Sequence, residues 1–181
     1  IFQVVPSQRF ETNFKSKGSS LYKVLRLTNP SPFMYYFNLP NFQIVGSSPE
    51  ILVRLRSDLI TLRPIAGTRP RGKNIKQDRK YELDLLSDEK ETSEHLMLLD
   101  LGRNDVGKVA KKSTVSVTAK FIIEKYSHVM HLVSNVTGKL KKNISTIEAL
   151  MAGFPAGTVS GAPKIRACLL YTSDAADESV C

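Results

Sequence analysis

Along the chain the apolar positions change period several times, and each change marks an element. The opening IFQVVPSQRF (1–10) alternates and predicts a strand. In FKSKGSSLYKVLRLTNPSP, Ser19 and Ser20 stand ahead of an apolar-periodic stretch, which predicts a serine-capped short helix and then a proline-punctuated loop. FMYYFNL and FQIVGSSPEILVRLRSDLITLRPI are rich in aromatic and β-branched residues. The second is broken at Gly46–Pro49 and at Ser57–Asp58, so together they predict a meander of antiparallel strands. AGTRPRGKN predicts a Gly- and Arg-rich loop. From Asp78 to about Leu101 the period becomes helical, with Leu85, Met97, Leu98 and Leu101 near one stripe. STVSVTAKFIIEKYSHVMHLVSNVTGKL returns to the alternation of strands. STIEALMAGF predicts a short helix with a Ser/Thr start and a glutamate in its first turn. PAGTVSGAPKIRA predicts a Gly/Pro loop with a helix beginning after Pro163. Neighbouring strands in blocks, separated by helices, predict an α+β fold with an antiparallel sheet rather than a doubly wound parallel one.

Bulk properties narrow the class. The 181 residues suffice for one medium domain with a real core, and 41% hydrophobic with 24% charged residues is ordinary for a globular protein. No apolar run approaches the roughly 20 residues that span a bilayer, so no membrane partner is expected. No signal peptide is visible, and the cysteines Cys168 and Cys181 make no disulfide framework, which suits a reducing, cytoplasmic setting. The chain opens without Met, within a predicted strand, and so reads as a fragment. The net charge is +9, but Lys and Arg are spread along the chain rather than clustered with aromatics. KVAKK and KLKK are short and lie beside turn signals, so solvated loops that attract an acidic ligand or partner are expected, and no nucleic acid.

Three places carry candidate chemistry. Glu91 and Glu94, three apart in the predicted helix, share a face. Two adjacent carboxylates suit Mg²⁺, which takes a few carboxylates and keeps several waters; a solvated face with Lys90 as partner is the other reading. His95 follows directly, and a lone histidine is more often structural. In YSHVMHLVS, His128 and His131 on a strand point to opposite faces, so only one can serve a given pocket. PIAGTRPRG and FPAGTVSGAPK each combine glycines for close backbone approach, a threonine hydroxyl, and Arg or Lys to complement a carboxylate or phosphate. Neither matches the phosphate-loop or dinucleotide fingerprint.

Taken in order, IFQVVPSQRF, NPSPFMYYF, GSSPE, PIAGTRPRG, DEKETSEHLMLLDLGRND, YSHVMHLVS and GTVSGAPKIRA resemble the chorismate-utilising enzymes, and most closely those of the anthranilate synthase type. The resemblance covers residues 1–167 as a partial catalytic domain. CLLYTSDAADESVC (168–181) matches nothing in the family and is expected to be a non-native tail. The implied fold is α+β: an antiparallel two-sheet β-sandwich with outer helices and the active site in its cleft. The implied reaction converts chorismate and ammonia, with Mg²⁺, to anthranilate and pyruvate in tryptophan biosynthesis. Ammonia comes from a glutaminase (amidotransferase) subunit, and tryptophan is the feedback inhibitor. By resemblance, Glu94 matches a direct Mg²⁺ ligand, and Glu91 matches a second carboxylate acting largely through water. Gly67, Thr68 and Thr158 match residues at the substrate, and His131 matches the histidine near the leaving 4-hydroxyl. Pro32, Phe33 and Met34 match the tryptophan site.

Two positions sort the subfamilies. Gln3 falls where isochorismate and salicylate synthases carry a water-activating lysine, and Ala66 falls where many aminodeoxychorismate synthases carry a nucleophilic lysine. Both favour direct attack by ammonia. Component I of aminodeoxychorismate synthase, in the folate pathway, and a non-catalytic basic binding module are the alternatives. In the family a further metal glutamate and substrate contacts follow the matched segment, so this segment alone is expected to be inactive.

Overall fold

The computed structural model describes residues 1–172. They form two units, one of Ser7–Glu50 and one of Ile1–Pro6 with the chain from Ile51 onward.

In the smaller unit, helix α1 (Gly18–Thr28) precedes a two-stranded antiparallel ribbon of β1 (Phe33–Asn38) and β2 (Gln43–Ser48), with Phe33 opposite Ser48. Tyr22 of α1 lies against Tyr36 of β1, ring centroids 6.2 Å apart. The N-cap of α1 is Lys17, which makes no side-chain capping bond, so Ser19 and Ser20 lie inside the first turn rather than capping it. The expected strand over residues 1–10 does not form either. Gln3 forms an isolated bridge to Ala162, with the Phe2 N–H also on the Ala162 carbonyl, and Pro6, with no N–H to give, stands where a ladder would have to continue.

The larger unit holds β3 (Ile51–Arg56), β4 (Leu59–Arg63), β5 (Ile65–Pro70), α2 (Ile75–Ser87), α3 (Glu89–Val109), β6 (Ser116–Lys125), β7 (Val129–Lys139), α4 (Thr146–Gly153), α5 (Gly157–Ser160) and α6 (Lys164–Thr172). The long strand β7 organises an antiparallel sheet. Strands β4 and β5 run end to end along one edge of it, pairing with residues 136–139 and 129–133 in turn. Pro64 joins them, and its carbonyl accepts the Ser134 N–H at 3.2 Å. β6 pairs with the other edge of β7, and β3 lies outside β4. The α+β class with antiparallel sheets is therefore as expected. AGTRPRGKN is not a loop, however: its first half is β5, since Gly and Pro are tolerated on an edge strand.

Along β7 alternate residues face opposite ways. Met130, Leu132 and Val136 are buried with the helices, while His131, Val133 and Asn135 share the other face. α3 lies close over β7 because Gly138 has no side chain; a Cβ there would come within 2.7 Å of Val106 and 2.8 Å of Ala110. Ile60, Leu62, Leu99, Val106, Val109 and Val136 make this core, with Ala149 and Ala152 of α4. A second cluster under α2 joins Leu85 to Met130 and Leu132. The helical stretch expected from Asp78 to about Leu101 is two helices, broken at Asp88, whose carboxylate accepts the N–H groups of Lys90 and Glu91 and so starts α3. This break leaves Leu85 on α2, while the stripe of α3 runs through Leu98, Leu99, Gly102, Val106 and Val109.

The C-terminal elements follow their predicted caps. Ser145 and Glu148 form a reciprocal capping box on α4. α6 begins directly after Pro163, and Lys164 at its start donates to the Gly153 carbonyl (2.9 Å) and to the buried Asp105 of α3. α6 continues through Cys168 to Thr172; the rest of the expected tail, 173–181, lies outside the described residues. KVAKK and KLKK come side by side through the Ala110–Leu140 bridge, with Lys112 and Lys142 exposed.

Candidate active site

The site centres on a bulge in β5. The register with β7 shifts between Ala66, opposite Leu132, and Thr68, opposite His131. Gly67 is the inserted residue and has φ +69°, in the left-handed region where a β-carbon is strained. The bulge gives Gly67 two neighbours from different layers. A Cβ on it would lie 3.0 Å from Leu85 and 3.2 Å from Glu91 Oε2. Its carbonyl oxygen lies 2.9 Å from His131 Nδ1.

That carbonyl can only accept, so Nδ1 carries the proton, and the Thr68 hydroxyl 3.0 Å away is a second acceptor for it. This leaves Nε2 for a ligand. Tyr126 packs edge-on against the imidazole, centroids 5.5 Å apart. His128 is not on the strand. It sits in the turn before β7, with its Nδ1 2.9 Å from Ser127 Oγ. The two histidines are separated as expected, but by the strand's starting point rather than by alternation.

Glu91 and Glu94 lie on α3, partly buried. Glu91 Oε1 receives Arg69 Nη1 at 3.4 Å. Glu94 Oε1 receives Gln3 Nε2 at 2.8 Å, across 91 residues of sequence. The single oxygen of the Gln3 amide, Oε1, is buried without a partner. Phe2, Gln3, Ser93, Glu94 and Met97 line a cavity of about 340 Å³. The structure thus gathers Gly67, Thr68, His131 and Glu91 at the bulge and puts Glu94 beside the neighbouring cavity. Thr158 is half-buried on α5, which Gly157 seats against Leu101, two turns of α3 beyond Glu94. None of the hydrogen bonds above reaches it. Pro32, Phe33 and Met34 belong to the other unit, where Ser31 Oγ donates to the Ser48 carbonyl at 3.0 Å just before β1.

Several site-shaping residues carry no local sequence signal. Arg69 bonds four groups of the β5–α2–α3 corner. Asp84 and Asp88 raise its pKa, so it stays protonated. Asp88 is held below the usual carboxylate range by the Glu91 N–H and by Arg69. His95 is fully buried, with Nε2 2.7 Å from Ser134 Oγ and its ring against Phe121. Burial lowers its pKa to about 4, so it is a neutral structural group, as a lone histidine was expected to be.

A Mg²⁺ ion needs only one or two protein carboxylates, since it keeps much of its water. Glu91 and Glu94 fit in kind. Each has one oxygen engaged by a nitrogen donor, and the second oxygen of each takes no hydrogen bond among those described. Among the described residues no group of three His, Cys, Asp or Glu side chains comes together as a closed metal cage.

Residues 1–171 match the family model of the chorismate binding enzymes. Over 167 residues the chain is 65% identical to the anthranilate synthase component 1 of Cereibacter sphaeroides, covering 92% of this chain and 33% of that protein. It is 61% identical to that of Pseudomonas aeruginosa, covering 91% and 34%. The chain therefore spans about a third of the length of these curated relatives. Among solved structures it is similar to anthranilate synthase component I from Streptococcus pneumoniae, with a TM-score of 0.77 at 45% identity over 85% of this chain and 33% of that one. A Bacillus anthracis structure described as a putative 2,3-dihydroxybenzoate-specific isochorismate synthase matches at TM-score 0.72 and 28% identity, over 85% of this chain and 42% of that one. With the bulged β5, the paired Thr68 and His131, and a matching model over nearly its whole length, the chain belongs to the chorismate binding enzyme family.

Proposed function

We propose that the chain is part of an anthranilate synthase component I, which converts chorismate and ammonia to anthranilate and pyruvate for tryptophan biosynthesis. The observation that carries this reading is the single glycine, Gly67, with the His131 imidazole on its carbonyl and the Glu91 carboxylate beside the space a β-carbon would fill. An imidazole and a carboxylate thus lie about one short strand segment, the groups this reading uses as proton donor and metal ligand. The relatives' names point the same way.

Chorismate is a dianion whose 4-hydroxyl is a poor leaving group. His131, fixed through Nδ1, presents Nε2; when protonated it gives that proton to the departing C4 oxygen, which leaves as water. Ammonia adds at C2, where Ala66 supplies no competing amine. Loss of the C2 proton and of the enolpyruvyl side chain as pyruvate then gives the aromatic product. Glu91 and Glu94 would hold the Mg²⁺. When bound, the ion offsets the charge of the ring carboxylate and draws electron density from the ring. Thr68 keeps the imidazole plane fixed, and Thr158 and the Gly67 backbone face the substrate in this reading. Ammonia is delivered by a glutaminase subunit in the cytoplasm, and Pro32, Phe33 and Met34 form part of the tryptophan feedback site.

The test is product identity. The full-length enzyme carrying this segment, given chorismate, ammonium and Mg²⁺, is expected to produce fluorescent anthranilate and equimolar pyruvate. Accumulation of 4-amino-4-deoxychorismate without pyruvate would contradict the reading.

A further inference from the structure

We propose that Arg69 is a positioning residue whose guanidinium sets Glu91 and the first turn of α3 against the Gly67–Thr68–His131 strand pair; this rests on the reading of Glu91 as a metal carboxylate.

The bulge at Gly67 makes this role available to Arg69. With Thr68 opposite His131, Arg69 is opposite Met130, whose side chain is buried on the helix-covered face of the sheet. Arg69 therefore points toward α2 and α3, while Thr68, one residue earlier, points to the other face. Its side chain is only 20% exposed. Nε donates to Asp84 at 2.6 Å and Nη2 to Asp88 at 2.7 Å. Nη1 donates to the Thr68 carbonyl at 3.0 Å and to Glu91 at 3.4 Å.

Asp88 extends the effect. One of its oxygens receives Arg69, and the other caps α3 through the N–H groups of Lys90 and Glu91. The same cation thus anchors the helix start, steers the glutamate and grips the backbone of β5 at Thr68, opposite His131 of β7. It also faces three carboxylates that would otherwise repel one another. The contact to Glu91 is the longest of the four, so Glu91 is oriented while its Oε2 stays at Gly67. A planar fork with donors on three nitrogens makes these bonds at once; a lysine ammonium, with its donors on one atom, cannot span them.

A matched control lies two residues on. Arg71 pairs with Asp78 at 2.7 Å and donates to the Tyr126 carbonyl at 2.6 Å, but it touches none of the site residues. The loss of a partly buried, carboxylate-paired arginine without the positioning role can therefore be measured at the same strand end.

The experiment is isothermal titration of Mg²⁺ into the full-length enzyme with saturating chorismate, with thermal melts and steady-state rates alongside. Arg69→Lys is expected to weaken Mg²⁺ binding by about ten-fold or more, as loss of groups that orient metal ligands does, and to lower kcat. Arg71→Lys is expected to shift the melt comparably and to leave Mg²⁺ affinity within about two-fold of wild type. Asp84→Asn loosens the Nε anchor alone and is expected to weaken Mg²⁺ binding by an intermediate factor; it decides the matter should Arg69→Lys fail to fold. Wild-type Mg²⁺ affinity in the folded Arg69 variant or in Asp84→Asn, or equal loss in Arg71→Lys, would overturn the positioning role. A wild-type enzyme that turns over chorismate without binding Mg²⁺ would overturn the reading beneath it as well.

Discussion

His131 Nδ1 lies 2.9 Å from the carbonyl oxygen of Gly67, and this one bond decides which ring nitrogen can act. Asparagine at 131 keeps a donor near the Nδ1 position and removes Nε2. His131→Asn is therefore expected to melt within about 1 kcal/mol of wild type, the scale of one hydrogen bond. Its kcat is expected to fall by about 10²–10⁴, the usual worth of a general acid. Stopped-time anthranilate assays with a denaturant melt check both, and an unchanged kcat would remove His131 from the reaction.

Gly67→Ala tests the bulge. A β-carbon at φ +69°, 3.0 Å from Leu85 and 3.2 Å from a glutamate oxygen, must displace one of them. A loss of about 1–3 kcal/mol in chemical denaturation is expected from the backbone strain, together with weaker Mg²⁺ binding as Glu91 is pushed aside. A fully stable variant with normal binding would show that the bulge is not required.

Burial of His95 makes stability depend on pH in one direction. Its pKa is about 4 when folded and near 6.5 when unfolded, so below pH 6.5 the unfolded chain binds the extra proton. The contribution is full above pH 6.5 and is lost as pH falls toward 4, by an amount on the order of 3 kcal/mol. His95→Gln keeps a partner for Ser134 and removes the titration. The pH dependence of its unfolding free energy should be flatter than wild type between pH 6.5 and 4; parallel curves would contradict the neutral buried state.

Asp105 is 3% exposed and is paired with Lys164 and Lys108. Asp105→Asn removes the negative charge facing the Lys164 ammonium, 11% exposed, and leaves it only neutral acceptors such as the Gly153 carbonyl. Breaking one side of a buried pair typically costs about 3–5 kcal/mol, so urea unfolding should show a loss in that range. A loss under about 1 kcal/mol would mean that the pair is solvated.

Local chemistry in the sequence reached as far as single elements. The acid-rich start of α3, the Ser145 cap with Glu148 and the alternation of β7 each follow from neighbours within a few residues. What escaped depends on contacts distant in sequence. Gln3 meets Glu94 across 91 residues, and Lys164 meets Asp105 across 59. AGTRPRGKN reads as a loop because its glycine and proline are the usual turn residues, yet β5 is an edge strand whose glycine makes the bulge. Arg69 looked like one of several loop cations; only the fold shows that it points under the sheet to Asp84, Asp88 and Glu91. The break at Asp88 is masked because its cap lies inside a charged run, DEKE, that itself reads as helix.

In the proposed function Glu91 and His131, which meet at Gly67, and Glu94, at the cavity beside Gln3, serve one chorismate site. Isothermal titration of Mg²⁺ and chorismate into the full-length enzyme, wild type against Glu94→Ala, tests it most directly. Glu94 faces the cavity beside Gln3 and carries the direct-ligand assignment, so the variant should lose Mg²⁺ affinity, more than Glu91→Ala does, and with it the tightening of chorismate by the metal. Unchanged Mg²⁺ affinity in Glu94→Ala would contradict the account.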